Sequence, residues 1–151
     1  RRQHRLRWAG EINSTLPEAT FEIKIKENEL GRKESQSVGD IHWSDLTDSF
    51  SEIAALRLLP LRPVLVNSYQ RSYWANANQH FRITLDWDLS FAPFSWATPP
   101  SHLHAFPDPA VILELKYEQE YDAEAQNIFA HLPFRLSKNS KYVTGISLVM
   151  T

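Results

Sequence analysis

Nine basic side chains recur at positions that would let them face a common anion if the segments carrying them share one sheet. Arg5, Arg7, Lys24, Lys26, Arg71, Arg82, Lys116, Lys138 and Lys141 lie in or beside segments that alternate apolar and polar residues, or in the C-terminal segment. Arginine presents a planar fork of N–H donors that matches phosphate oxygens, and lysine adds a mobile point charge. A single alternating segment with its charges outward is an ordinary solvated strand face. Recurrence from segment to segment points instead to a shared lining, which a sheet curled into a barrel would close around its cations. Such a lining needs a counter-anion, because like charges repel strongly away from water. A linear polyphosphate or a nucleoside triphosphate supplies the oxygens. Glu22, Asp86 and Glu114 sit on the same faces, where they would repel that anion unless a divalent cation, Mg²⁺ or Mn²⁺, bridged them.

The elements that must hold these side chains are mostly strands. Phe21 to Lys26 alternates Phe21, Ile23 and Ile25 against Glu22, Lys24 and Lys26, and the pattern returns at Leu65 to Tyr73, Phe81 to Asp86 and Val111 to Tyr117. Further strands are expected near Arg5 to Trp8, Gly31 to Val38 and Tyr142 to Val149. Helical spacing of apolar residues predicts a helix over Ser49 to Leu59, stopped by Pro60, and another over Asp122 to Leu132, stopped by Pro133. Both are expected to cover a sheet. Pro93, Pro99, Pro100, Pro107 and Pro109 mark the stretch from Pro93 to Pro109 as an irregular excursion between two strands. Many strands, few helices and no regular strand–helix alternation give an α+β class that is mainly antiparallel β.

Composition narrows the chemistry. The 151 residues fit one domain, and a net charge of -2 excludes binding of nucleic acid through bulk attraction. With no cysteine there is no disulfide framework, thiol nucleophile or Cys-ligated metal, which suits a reducing, cytoplasmic setting. No apolar run is long enough to span a bilayer, and the start, Arg1-Arg2-Gln3-His4, does not read as a signal peptide. The four glycines form no phosphate-cradling loop. His102-Leu103-His104 has only Asp108 nearby as a third metal ligand, a weak chelate.

Six short motifs occur in an order that resembles VTC domains, the polyphosphate polymerase branch of the triphosphate tunnel metalloenzymes. They are Arg5-Leu6-Arg7, Glu22-Ile23-Lys24, Ser68-Tyr69-Gln70-Arg71, FRITLD at 81–86, ILELKY at 112–117, and Ser137-Lys138-Asn139-Ser140-Lys141-Tyr142. The resemblance covers nearly the whole chain. It implies an eight-stranded antiparallel barrel forming a tunnel, in which Arg5, Arg7, Lys24, Arg71, Arg82, Lys116, Lys138 and Lys141 grip phosphates. Tyr69 and Ser140 resemble the neutral hydrogen-bond donors beside them, and Glu114 resembles the ligand of a divalent cation, Mn²⁺ or Mg²⁺. Lys26 shares a face with Lys24 but has no clear counterpart, and Lys33 reads equally as a solvated residue on a hairpin arm. The sequence starts where the resemblance places a second or third strand, so residues 1–151 are expected to be a domain lacking its N-terminal part. The activity implied is metal-dependent transfer of the terminal phosphoryl group of ATP to polyphosphate. The same residues also fit a tripolyphosphatase or nucleoside triphosphatase, or a polyphosphate binder without turnover.

Overall fold

The computed structural model describes residues 2–27, 30–46 and 62–151, the side chains of residues 26, 27 and 30 excepted. The helix expected over Ser49 to Leu59 lies outside the described residues. The chain divides into two compact units, Arg1–Pro63 with Ser95–Leu103, and Val64–Phe94 with His104–Thr151.

In the first unit β1 (Arg2–Arg7), β2 (Thr15–Glu27) and β3 (Leu30–His42) form an antiparallel sheet in the order β1-β2-β3. Alternation divides the residues between two faces. Phe21 is buried on one, with Leu6, Ile23 and Val38 packed against it. Arg5, Glu22 and Ser35 are register partners on the other, as are Gln3, Lys24 and Lys33. A 3₁₀ turn at Trp43–Asp45 follows β3, and Trp43 and Leu46 are buried with Leu16, Ala19 and Ile41.

The second unit is built on β4 (Leu65–Ala75), β5 (Arg82–Pro93), the short β6 (Phe106–Asp108) and β7 (Ile112–Lys116). β5 is central and pairs antiparallel with all three others. A register shift between Ser68 and Gln70, with Asp88 at φ +51, marks a β-bulge that inserts one residue into β5. Before the bulge, Arg82, Thr84 and Asp86 share a face with Arg71 and Tyr73 of β4. Beyond it the parity changes, and Phe91, opposite Asn67, takes that same face. Helix α1 (Asp122–Ala130) follows β7, where Phe129 meets Tyr117 edge-on and Ala125 is fully buried.

Helix α2 (Lys141–Val149) corrects the strand expected near Tyr142 to Val149. The β-branched residues there suggest a strand, but the protected positions are Lys141, Thr144, Gly145, Ile146 and Val149, which follow helical and not alternating spacing. Ser140 caps the helix by accepting from the Val143 N–H at 3.5 Å. Gly145 permits the docking, since a Cβ there would lie 2.5 Å from Phe91 Cδ1 and 2.6 Å from Leu65 Cδ2. Phe91 is 1% exposed, so its ring cannot swing away. Gly145→Ala should therefore destabilise the protein by about 1–3 kcal/mol through overpacking. Helix propensity alone would stabilise it by about 1 kcal/mol. Chemical denaturation reads the sign, and a more stable variant would show that α2 does not seat this tightly.

The barrel expectation meets a correction. Among the described residues the strands form a three-stranded and a four-stranded sheet, and no closed barrel is present. α2, placed by sequence as a strand, supplies no ladder hydrogen bonds.

Candidate functional site

Each unit gathers cations around one buried carboxylate on its central strand. In the first unit Glu22 is 3% exposed. Arg5 on β1 reaches its Oε2 at 2.5 Å from both Nε and Nη2, Lys33 on β3 donates to Oε1 at 3.2 Å, and Arg7 Nη1 lies 3.8 Å from Oε1. Burial alone would push this carboxyl up, but the charge and hydrogen bonds of Arg5 and Lys33 hold it below the usual carboxylate value. Arg5, Arg7, Lys24 and Lys33 thus share a face with a single buried carboxylate. Lys33, left open by the sequence, belongs to this face. Lys26 stands opposite Gly31 in register, with its side chain outside the described residues.

In the second unit Asp86 is 1% exposed. Arg71 on β4 binds it through two parallel hydrogen bonds, Nε to Oδ1 at 2.5 Å and Nη2 to Oδ2 at 2.6 Å, and Lys141 of α2 donates to Oδ2 at 2.5 Å. These bonds outweigh burial and hold Asp86 below its ordinary value, while the bond to Asp86 raises Arg71 further into its charged form. Tyr69 lies beneath both cations, with Arg71 Cζ 5.0 Å and Lys141 Nζ 4.7 Å from its ring centroid. Asp86 takes two of the five N–H donors of Arg71 and one of the three of Lys141, so the trio keeps a net positive charge.

Along β5 from Asp86 the face continues to Arg82, which is exposed and makes no ion pair among the described residues. Lys116 on β7 is its register partner, and Glu114 lies opposite Thr84. Lys116 Nζ is 3.5 Å from Glu114 Oε2, both side chains nearly half exposed. Lys138 is exposed in the loop before α2, three residues ahead of Lys141, and Ser140 acts as the cap of that helix.

Sequence reasoning placed these cations on shared faces but gave Glu22 and Asp86 the wrong part. They do not stand apart as repelling charges. Each is an anchor, clasped by the same arginines and lysines expected to grip phosphate. The available signal was register, since Arg5 faces Glu22 and Arg71 faces Asp86 across neighbouring strands, and register cannot be counted from one strand alone. No group of three or more His, Asp or Glu able to hold a metal is present among the described residues. Among the described residues Glu114 belongs to no cluster of metal-ligating side chains, so a divalent cation held there would take its other ligands from water and phosphate oxygens. That donor set fits Mg²⁺ or Mn²⁺ bound together with a phosphate chain and does not fit a preformed protein cage.

The family model described as VTC domain matches residues 1–150. The chain belongs to this family. Two cation-rich sheet faces in one VTC domain are consistent with a function related to polyphosphate. No curated protein matches the sequence at a significant level. Among the described residues of this VTC domain no helix is long and apolar enough to cross a membrane.

Proposed function

We propose that this VTC domain is a metal-dependent polyphosphate polymerase that moves the terminal phosphoryl group of ATP onto the end of a polyphosphate chain. One observation carries the reading. In a protein of net charge -2, the β4–β5–β7 face sets Arg71, Lys141, Arg82 and Lys116 against only Asp86 and Glu114, leaving an uncompensated strip of positive charge. From Arg82 to Asp86 that strip runs on the order of 13 Å along the strand, which suits a chain of phosphates better than a single one.

In the reaction the P–O bond between the terminal and penultimate phosphates of ATP breaks and ADP departs with the bond pair. A terminal oxygen of the acceptor chain forms the new P–O bond. Arg71, Lys141, Arg82 and Lys116 neutralise charge on the transferring group and keep donor and acceptor in line. Glu114 is the residue that would hold Mn²⁺ or Mg²⁺, which supplies further neutralisation when bound with the nucleotide. No covalent nucleophile on the protein is needed.

Incubation with ATP and Mn²⁺, scored for polymer on a gel and for free phosphate, tests the reading. Polymer supports a polymerase, and free phosphate alone supports a tripolyphosphatase or nucleoside triphosphatase. Glu114→Gln keeps the shape and removes the charge, so it should abolish or strongly reduce turnover while metal-free triphosphate binding holds or tightens. Wild-type turnover in that variant rules Glu114 out as the metal ligand. The Glu114–Lys116 ion pair, an ordinary solvated pairing, favours a second reading in which the domain binds polyphosphate without turnover. Binding with neither product selects it.

A further inference from the structure

Thr84 lies in the middle of the β4–β5–β7 strip and is 3% exposed, yet its hydroxyl oxygen has no hydrogen-bond partner among the described residues. Buried hydroxyls almost always find one, and an unpaired one weakens the fold by the cost of taking it out of water. Its surroundings suggest what it awaits. Two residues along β5 in one direction is Asp86 with Arg71 and Lys141, and two residues in the other is Arg82 with Lys116 opposite. Directly across the ladder stand Tyr73 on β4 and Glu114 on β7. Both side chains are exposed, Tyr73 with Arg71 Cζ 5.6 Å from its ring centroid and Glu114 paired with Lys116. A residue on this face needing only to fill space would serve better as valine, which has the same branched shape and no polar atom.

We propose that the Thr84 hydroxyl is a ligand-binding group that donates a hydrogen bond to a phosphate oxygen lying between the Arg71–Lys141 and Arg82–Lys116 cation pairs. This rests on the reading of the strip as a phosphate surface. The hydroxyl sits midway along β5 between the two cation pairs, and it adds direction where lysine supplies only charge. Its missing partner in the free protein is then explained, because the partner arrives with the ligand.

The test uses the whole chain with inorganic tripolyphosphate as probe, measuring thermal midpoint without ligand and affinity by calorimetry for wild type, Thr84→Val and Thr84→Ser. Thr84→Val should raise the ligand-free midpoint, since the unpaired hydroxyl is gone, and weaken tripolyphosphate binding about tenfold. Thr84→Ser keeps the donor and should bind within about threefold of wild type, as expected if the hydroxyl rather than the side-chain volume matters. A midpoint lowered by valine shows that the hydroxyl already has a partner and overturns the proposal. Equal affinity of wild type and Thr84→Val overturns it while leaving the phosphate strip intact. No binding by wild type overturns the strip and the proposal together.

Discussion

Replacing Asp86 with Ala should remove about 3–5 kcal/mol of folding stability, because Arg71 and Lys141 would be left half-buried around an absent counter-charge. Their side chains are only 16% and 20% exposed, too little for water to replace the carboxylate. The loss reports uncompensated cations, so a polyanion should restore part of it. Tripolyphosphate is expected to raise the melting midpoint of Asp86→Ala by more than it raises that of wild type, and an equal rise in both would sink this account. The same carboxylate shapes the acid response. Asp86 and Glu22 are held below their ordinary values in the folded protein, so on acidification the unfolded chain takes up protons first. Their contribution to stability is present in full above the ordinary carboxylate range, near pH 4, and drains away as pH falls below it. Denaturation midpoints between pH 6 and pH 3 should therefore fall less steeply in Asp86→Ala than in wild type.

Two arginines of the same face should respond differently to alanine. Arg82 is exposed and makes no ion pair among the described residues, whereas Arg71 is bonded twice to a buried carboxylate. Arg82→Ala is expected to cost about 1.5–3 kcal/mol of tripolyphosphate affinity with little change in stability. Arg71→Ala should lose a comparable amount of affinity and also destabilise the fold by about 3 kcal/mol or more, since Asp86 would keep only Lys141. Calorimetric titration paired with denaturation separates the two effects. Unchanged affinity in Arg82→Ala would take that residue out of the site, and unchanged stability in Arg71→Ala would deny the anchoring role of Asp86.

What alternation could reveal, the sequence revealed. Phe21 to Ile25 and Arg82 to Asp86 lie in strands with the expected residues on each face, and the helix beginning at Asp122 lies where apolar spacing put it. Lys141 reaches Asp86 from the first turn of α2, where the sequence predicts a strand near Tyr142 to Val149. The β-branched run from Val143 to Val149 concealed that helix, and only the Ser140 cap and the seat of Gly145 against Phe91 disclose it. Glu22 and Asp86 were legible as charges but not as anchors. Their role depends on which residue faces them on another strand, and a bulge or turn of unknown length decides that.

The bulge at Asp88 acts as a phase shifter within a single strand. Without it, an uninterrupted alternation from Arg82 would bring Asp88 and Ser90 up beside Asp86 and send Leu89 and Phe91 to the reverse side of the sheet. One added residue lets β5 be a charged floor at one end and a greasy seat at the other, both on one surface. The helix that rests on the seat is thereby brought to the edge of the floor, where its first residue reaches Asp86. Spacing between Arg82 and Phe91 is thus under a stricter constraint than identity. Same-length exchanges along this stretch alter local contacts, whereas a one-residue insertion or deletion would swap the two surfaces and part Lys141 from the carboxylate it holds.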